Sequence, residues 1–332
     1  MEVSVLVPVL NEEQYVGIAI ASMEAQTLAG GAEFLFIDGG SQDRTREIVL
    51  TQIARDGRFR LLANPHRTTP YALNIGLREA RGTYVARMDS HSEFPDTYLS
   101  LGVERLRAGG PAHVSGPQVA TGSGRWSSRV ALALNVWLGR GGAQFRRDDV
   151  GEIEVDTGFC GVWRRETLLE QGGWDEEWTI DQDFELASRI RARGGTLVCL
   201  PAMRARYVPR DSLSALWRQY WRYGQFRVKT ACRHPASLRR SHLLAPAVVL
   251  SAAVATAAPR ALRRGAQGGI AAYLVALLAV SARATRVAPT RDAAALPLVF
   301  LTMHMAWGCG FFAGIRRFGW PGTAVFRLLS GR

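Results

Sequence analysis

The sequence predicts an α/β fold with a mainly parallel central sheet, followed by a C-terminal region of amphipathic and apolar helices. In the first 200 residues, short apolar runs alternate with stretches that have helical spacing, which is the pattern of βαβ units. Beyond residue 240, three apolar runs follow at about 243–258, 268–282 and 293–315. Only the last has the roughly 20 residues that span a bilayer, so we expect the first two to cross as a hairpin or to lie partly in the interface.

Seven short segments, most of them apolar, are the predicted strands of the first 200 residues, at 3–8, 33–38, 58–62, 83–88, 114–119, 156–163 and 197–200. Helical spacing predicts helices at about 11–26, 41–53, 71–79, 95–107 and 181–193. Asn11, Glu12 and Glu13 are expected to cap the first of these helices. Residues 122–150 are rich in Gly and Arg and are expected to form loops with one helix.

The net charge of +12 comes from one part of the chain. Residues 201–332 hold 20 Lys and Arg but only two acidic residues, whereas residues 1–200 hold 21 basic and 27 acidic residues. Basic residues beside apolar runs indicate a membrane surface with anionic lipid. A nucleic-acid-binding protein is expected to show a basic stripe on a soluble face instead. We therefore predict a membrane as partner and no nucleic acid.

The four cysteines are widely separated, so no zinc site or disulfide framework is predicted and a reducing compartment fits. The first residues have the pattern of a strand and not of a signal peptide. We therefore expect an inner-membrane protein whose catalytic part lies in the cytoplasm. Arg-rich loops near 260–264, 283–291 and 316–317 give no clean orientation for each pass under the positive-inside rule.

Asp89 and His91 follow the predicted strand 83–88, at the end where open α/β sheets bind ligands. A carboxylate and an imidazole one residue apart can share a divalent ion that also holds a diphosphate. Mn²⁺ tolerates a nitrogen ligand better, whereas Mg²⁺ normally keeps waters and phosphate oxygens, so either ion is a candidate. The alternative is a turn Asp next to a surface His.

Two further acids complete the predicted site. Asp38 follows a strand and precedes a Gly turn, where its carboxylate can accept hydrogen bonds from a base or ribose; a structural turn Asp is the alternative. Asp183 lies in a separate segment and is predicted to be the general base that deprotonates an acceptor hydroxyl. Asp181 is a rival for this role, and a solvated acidic helix start is the alternative.

Seven motifs in the first 230 residues carry a family resemblance, at 7–12, 37–45, 72–77, 80–82, 88–91, 181–186 and 219–223. Together they resemble the family 2 glycosyltransferases. The Asp-Gly-Gly-Ser turn at 38–41 and the Asp-Ser-His triplet at 89–91 are most similar to the bacterial branch that builds exopolysaccharides such as succinoglycan on lipid-linked acceptors. The resemblance implies a GT-A fold and a reaction that inverts the anomeric configuration.

The resemblance implies a set of donor-binding residues, which are Pro8, Glu12, Asp38, Arg67, Asn74, Asp89 and Arg222. It places Glu12 near the ribose, and an Arg such as Arg67 can bind a diphosphate through two hydrogen bonds. Two departures from the family pattern stand out. Gly39 replaces a second Asp, and Gln182 replaces the Glu that commonly precedes the base.

The segment 219–223 resembles the Gln-x-x-Arg-Trp motif of processive members, with Tyr223 in place of Trp. The resemblance implies that Arg222 contacts the diphosphate and that Trp221 or Tyr223 stacks on an acceptor sugar. A membrane-interface helix uses the same residue types, so this alternative stays open.

We therefore predict a GT-A catalytic domain at 1–210, an amphipathic interface helix region at 211–240 and membrane-associated helices at 241–332. The predicted activity moves a sugar from a nucleoside diphosphate sugar, uridine-linked, to a lipid-linked saccharide. One alternative is a polyprenyl-phosphate sugar synthase, whose phosphate acceptor needs no strong base. Another is a non-catalytic membrane scaffold with a degenerate nucleotide-binding domain.

Overall fold

The computed structural model describes residues 1–140 and 151–330. These residues form two compact units. The first comprises residues 1–119 and the described part of 144–207, and the second comprises the described parts of 120–143 and 208–332. The predicted division of the chain at residues 210 and 240 stays a prediction, and part of the expectation for 122–150 lies outside the described residues.

The strands of the described chain are β1 (Val3–Val9), β2 (Ala32–Asp38), β3 (Phe59–Ala63), β4 (Tyr84–Arg87), β5 (Ser92–Glu93), β6 (His113–Gly116), β7 (Gln118–Ala120), β8 (Ile153–Glu154), β9 (Phe159–Arg164), β10 (Leu197–Cys199) and β11 (Ala205–Tyr207). Eight of them form one sheet in the order β3-β2-β1-β4-β9-β6-β10-β8, and β5, β11 and β7 form a small second sheet. All seven predicted strands are present. The predicted strand 114–119 is divided into β6 and β7 at Pro117, which has no N–H to donate.

The large sheet is mainly parallel, as predicted. β1 pairs in parallel with β2 and β4, β2 with β3, and β6 with β10, whereas β9 runs antiparallel between β4 and β6. Val9 lies opposite Asp38, and Leu6 opposite Arg87. The ends of β1, β2 and β4 therefore meet along one side of the sheet, the carboxyl edge.

The α-helices of the described chain are α1 (Val16–Glu24), α2 (Thr45–Ile53), α3 (Thr69–Glu79), α4 (Tyr98–Arg107), α5 (Arg125–Asn135), α6 (Trp137–Arg140), α7 (Arg165–Glu170), α8 (Gln182–Ala192), α9 (Leu213–Arg233), α10 (Leu244–Ala257), α11 (Arg260–Ala284), α12 (Thr290–Ala293), α13 (Leu296–Phe318) and α14 (Gly322–Ser330). The helices of the first unit cover both faces of the large sheet. Phe34 and Phe36 of β2 pack with α1 and α2 on one face, and Leu35 and Ile37 pack with α3 on the other. Burial on both faces explains the continuous apolar run of this strand.

One local expectation was wrong. Asn11, Glu12 and Glu13 do not cap α1, which begins only at Val16. Asn11 has a φ of 56°, and the three residues bind the turn before α2 instead. The backbone N–H of Glu12 donates to Thr45 Oγ1 at 2.7 Å, and Asn11 Oδ1 accepts from the backbone N–H of Gln42 at 2.8 Å. These polar side chains thus join the loops that follow β1 and β2.

The second unit packs the amphipathic helix α9 along α13. Gly224 and Gly310 lie at the crossing, where a Cβ on either glycine would come within 2.1 Å of a backbone oxygen of the other helix. The helices can approach this closely only because both residues lack a side chain.

Three segments of the described chain are long and apolar enough to cross a membrane, at Arg240–Ala257, Arg260–Ala284 and Thr290–Phe318. The second extends well beyond the predicted apolar run 268–282, because the Arg-containing residues before that run continue the same helix.

Candidate active site

The carboxyl edge brings several predicted site residues to one side of the sheet. Asp38 ends β2, Glu12 follows β1, and Asp89 and His91 follow β4. The strands β2 and β4 flank β1. Since neighbouring strands lie about 4.8 Å apart, the ends of β2 and β4 are separated by roughly 10 Å. This arrangement agrees with the expected place of a ligand in an open α/β sheet.

Arg87, the last residue of β4, joins Asp89 to Asp183. Its Nε and Nη2 donate to the two carboxylate oxygens of Asp89 at 2.7 and 3.2 Å, and its Nη1 donates to both oxygens of Asp183 at 2.7 Å. We call this three-residue group the Arg87 bridge. It places the predicted base one guanidinium group away from the predicted metal ligand.

The two carboxyl groups of the Arg87 bridge have opposite pKa shifts. Burial opposes ionisation of Asp89, but the charges of Arg87 and His91 and the hydrogen bonds from Arg87 together lower its pKa below the usual value. In Asp183 the effect of burial prevails over the attraction of Arg87, and the nearby charge of Asp89 adds to it, so the pKa is raised. Asp183 also keeps 28% of its side-chain surface exposed. It is therefore both accessible and a stronger base than an ordinary Asp.

Asp38 is almost completely buried, and the turn after β2 holds it in place. Its Oδ1 accepts hydrogen bonds from the backbone N–H and the hydroxyl of Ser41, at 2.9 and 2.7 Å. Its Oδ2 lies 3.8 Å from Nη1 of Arg46. The carboxylate is thus fixed at the carboxyl edge by the turn that the sequence predicted.

Glu12 and His91 lie next to each other, with 3.3 Å between Glu12 Oε1 and His91 Nδ1. The imidazole also makes an edge contact with Tyr207, at 5.7 Å between ring centres. Within residues 1–140 and 151–330, no group of three or more His, Cys, Asp or Glu side chains is arranged to hold a metal. Protein ligands alone therefore do not complete a metal site in this part of the chain.

The other predicted donor residues have different surroundings. The carbonyl of Pro8 accepts a hydrogen bond from the Ser90 hydroxyl at 3.2 Å. Arg67 is exposed and has a φ of 62°. Asn74 is buried, and its amide binds Trp174 and Glu176 beside a groove of about 680 Å³ between α3 and residues 172–177. The proposed roles of these three residues in donor binding stay predictions.

The remaining predicted contacts lie on α9, in the second unit. Arg222 and Tyr223 are exposed and Trp221 is half-buried, and the hydroxyl of Tyr223 accepts a hydrogen bond from Gln219 at 2.9 Å. Their roles toward diphosphate and acceptor sugar also stay predictions.

Comparison with known proteins identifies the family. The sequence model of Glycosyl transferase family 2 matches residues 4–171, which is half of the chain. The chain belongs to this family. The succinoglycan biosynthesis protein ExoA of Rhizobium meliloti (strain 1021) is 31% identical to this glycosyltransferase over 234 residues, which cover 70% of this chain and 71% of ExoA.

A second relative is the dolichyl N-acetyl-alpha-D-glucosaminyl phosphate 3-beta-D-2,3-diacetamido-2,3-dideoxy-beta-D-glucuronosyltransferase of Methanococcus voltae. It is 23% identical over 231 residues, covering 67% of this chain and 71% of the relative. Among solved structures, the mannosyltransferase PcManGT from Pyrobaculum calidifontis in complex with GDP-Man and Mn²⁺ aligns with a TM-score of 0.59 and 20% identity. The alignment covers 92% of this chain and 86% of PcManGT. These findings confirm the predicted GT-A fold.

Two buried residues of this glycosyltransferase were absent from the predicted site, Arg87, which binds Asp183, and Trp174, which is bound by Asn74. Arg87 immediately precedes the Met-Asp-Ser-His motif, so its position at the end of a strand was the available signal. Trp174 follows a pair of glycines, and nothing in its own segment indicates that Asn74 on α3 binds its backbone.

The rival base Asp181 has a different position from Asp183. It precedes α8 and has a φ of 66°. Glu185, one turn further on, is buried and bound to Arg189 by hydrogen bonds of 2.7 to 2.9 Å. Of the acids at the start of α8, Asp183 is the one that joins the Arg87 bridge.

Proposed function

We propose that this glycosyltransferase moves a sugar from a uridine diphosphate sugar to a lipid-linked saccharide, with inversion at the anomeric carbon. The Arg87 bridge is the observation that carries the proposal, because it holds a donor-side carboxylate and a candidate base in one site. The relative from Rhizobium is named for succinoglycan biosynthesis, and the relative from Methanococcus is named for transfer to a dolichyl phosphate-linked sugar. Both names support a polysaccharide or glycolipid product.

In the proposed reaction, Asp183 removes the proton from an acceptor hydroxyl while that oxygen attacks the anomeric carbon. The bond from this carbon to the diphosphate breaks on the opposite side, and the nucleoside diphosphate leaves. The raised pKa of Asp183 suits a hydroxyl acceptor, which must lose a proton. A lipid phosphate would attack without a base, so this feature favours the saccharide acceptor over the polyprenyl-phosphate alternative.

Asp38, Glu12, Pro8, Arg67 and Asn74 are the proposed donor-binding residues of the first unit. Asp38 carries the strongest support, because its buried carboxylate is fixed at the carboxyl edge. Arg222 is the proposed diphosphate contact on α9, and Trp221 and Tyr223 are the proposed acceptor-sugar contacts.

Asp89 and His91 fit a divalent ion, Mn²⁺ or Mg²⁺, that shares the oxygens of the donor diphosphate. Two protein ligands are sufficient when phosphate oxygens and water complete the shell. The ion would supply Lewis-acid support to the departing diphosphate. Arg87 would have to give up part of its contact with Asp89, since both cations use the same carboxylate.

We further propose that the enzyme works at the cytoplasmic face of the inner membrane. The apolar segments between Arg240 and Phe318 support attachment to a membrane, where a lipid-linked acceptor resides. The excess of basic residues in 201–332 fits contact with anionic lipid.

Substituting the proposed base tests the assignment. Asp183→Asn should reduce transfer at least about 100-fold, the usual contribution of a general base, while the dissociation constant for the donor stays unchanged. Transfer is measured by the mass of the glycolipid product, and donor binding by calorimetry. Asp181→Asn is the matched control and should retain transfer. Turnover by the Asp183 variant at the wild-type rate would refute the assignment.

A further inference from the structure

The three apolar segments of the described second unit are packed to different degrees. In Thr290–Phe318, which contains α13, 44% of the most apolar stretch is buried within the protein, against 11% in Arg240–Ala257 and 17% in Arg260–Ala284. A long apolar run can belong to a core helix as well as to a membrane span. Hydropathy alone therefore does not decide whether α13 crosses the bilayer.

The helix α9 packs along α13 and runs in the same direction. Near the middle of α9, the backbone oxygen of Trp221 lies where a Cβ on Gly310 of α13 would stand. At the ends of the two helices, Cys232 Sγ donates to the backbone oxygen of Gly319 at 3.6 Å. Later residues of α9 therefore meet later residues of α13, and the second halves of the two helices lie at the same level.

Positive charge extends along α9. Arg218, Arg222, Arg227, Lys229 and Arg233 all lie on this helix, which contains no Asp or Glu. The helix has 21 residues and is about 31 Å long, close to the thickness of a hydrocarbon core of about 30 Å. Crossing the bilayer would place Arg222 near the centre, about 14 Å from the start of α9, where a cation is costly and is too far from the headgroups to reach them. This helix therefore fits the membrane interface and not the hydrocarbon core.

The position of α9 limits the depth of α13. Because Arg222 follows Trp221 directly, it lies near the level of Gly310, about 12 Å before the end of α13 at Phe318. A membrane-spanning α13 would carry Arg222 into the hydrocarbon, and it would carry Arg218 deeper still. Both Arg residues are exposed, so they would meet acyl chains directly. The charge on α9 thus opposes a crossing by α13.

The acidic residues of this part of the chain do not compensate the charge on α9. Residues 201–332 contain only Asp211 and Asp292. Asp211 Oδ1 accepts a hydrogen bond from the backbone N–H of Ser127 at 2.6 Å, and Asp292 Oδ1 accepts one from Nε of Arg129 at 3.0 Å. Both carboxylates therefore bind α5, and the excess of cations on α9 complements the phosphates of anionic lipids.

The chain after α13 has the composition of a membrane interface. Trp320, Phe326 and Leu329 are 64%, 67% and 78% exposed, and Arg327 lies between the last two. Ala324 of α14 is buried in the core of the second unit, so α14 packs against the protein through other residues than these three. Aromatic and apolar side chains next to Arg are typical of helices at the level of the headgroups.

We propose that α13 does not cross the bilayer, and that α9, α13 and α14 lie in the plane of the membrane interface, in the leaflet that faces the cytoplasm. The inference rests on the proposed attachment to a membrane and adds the depth and direction of these helices. The leaflet follows from the cations, because Lys and Arg are enriched on the cytoplasmic side and the cytoplasmic leaflet has a negative surface potential. In this arrangement the chain before α13 and the chain after it lie on the same side of the membrane.

Cysteine labelling of the full-length chain in sealed membrane vesicles tests the proposal. Val287, before α13, and Leu329, after it, are 81% and 78% exposed, so Val287→Cys and Leu329→Cys report the two ends of this helix. Ile18→Cys on α1, which is 55% exposed, is the control that marks the side of the first unit. Each variant is made in a chain whose accessible cysteines, Cys232 and Cys309, are replaced by Ala. A membrane-impermeant maleimide is applied to inverted and to right-side-out vesicles.

We expect Val287→Cys and Leu329→Cys to be labelled in inverted vesicles, like Ile18→Cys, and to be protected in right-side-out vesicles until detergent opens them. Labelling of these two positions from opposite sides would show that α13 crosses, and labelling of both from the side opposite to Ile18→Cys would contradict the cytoplasmic leaflet. Ser330→Cys reports the same end if Leu329→Cys disturbs α14.

The proposed membrane attachment is tested separately by sedimentation of the wild-type chain with the vesicles. A chain that stays in the supernatant would remove the attachment itself. A chain that sediments, but whose Val287 and Leu329 variants are labelled from opposite sides, would leave the attachment standing and overturn only the in-plane arrangement.

Discussion

Arg87 gives two carboxylates of one site different properties. Its guanidinium is buried beside the buried Asp89 and the partly exposed Asp183, and it lowers the pKa of Asp89 below the usual value but only partly offsets desolvation in Asp183. The geometry explains the difference, because Arg87 donates through two nitrogens to Asp89 and through one to Asp183. One side chain thus keeps the proposed metal ligand ionised and leaves the proposed base with a raised pKa.

Arg87→Met should impair both stability and catalysis. The buried carboxylate of Asp89 would lose its counterion, so the free energy of unfolding should fall by about 3–5 kcal/mol. The pKa of Asp183 should rise further, which moves the acid limb of kcat/KM to higher pH, since protonated Asp183 cannot act as a base. Chemical unfolding in detergent and a pH–rate profile measure the two effects.

Arg87→Lys is the comparison for this prediction. Lys keeps the positive charge but cannot bind both carboxylates with a planar fork, so its effects should lie between those of wild type and Arg87→Met. If Arg87→Met leaves the acid limb in place, Arg87 does not control the pKa of Asp183.

The sequence predicted which residues lie at the site better than it predicted how they pair. The position of Asp38, Asp89 and His91 at the carboxyl edge was predictable because each lies at or just after the end of an apolar strand, which is a local pattern. The hydrogen bonds from Arg87 to Asp183 and from Asn74 to Trp174 join residues 96 and 100 positions apart. Local spacing contains no information about such pairs, so Asn74 was interpreted as a donor contact while its role in holding Trp174 was missed.

Among the elements, buried strands were predicted best. β1 and β2 are buried on both faces. The nearly continuous apolar run that results can be recognised from the sequence alone. The start of α1 was predicted wrongly, because residues 11–13 bind the loop before α2 and do not cap α1. Likewise β9 begins at Phe159 and not at Asp156, and its residues Cys160 and Gly161 have φ values of 54° and 112°, which an apolar run does not reveal.

The close crossing of α9 and α13 makes a prediction at the level of elements. Gly310→Ala places a Cβ within 2.1 Å of the backbone oxygen of Trp221, so the helices must separate. We expect a loss of about 1–3 kcal/mol in the free energy of unfolding, measured by thermal unfolding in detergent. Gly269→Ala on α11 is the control, because a Cβ there meets nothing within 4 Å. It should be neutral or stabilising, since Ala favours a helix, and equal effects at both sites would contradict the packing argument.

At the scale of the whole molecule, the positions of the charged and apolar residues along the chain indicated a membrane as partner, whereas the total composition did not. The net charge of +12 alone is typical of many nucleic-acid-binding proteins, but its concentration in residues 201–332 beside apolar helices indicates a lipid surface. The length of α11 was underestimated, because its Arg residues interrupt the apolar run but not the helix. Its 25 residues extend about 38 Å, enough to cross a hydrocarbon core of about 30 Å.

If α11 faces lipid, a charge near its centre should be costly. Val275 is 64% exposed on this helix, and Val275→Arg should cost about 2.5–3.5 kcal/mol on insertion, so the amount of chain that resists alkaline carbonate extraction should fall several-fold. Leu262→Arg is the matched control. Leu262 is equally exposed but lies at the start of α11 beside Arg263 and Arg264, where an added Arg can reach the headgroups. In water both exposed positions would tolerate Arg equally, so equal extraction of the two variants would show that α11 does not cross the membrane.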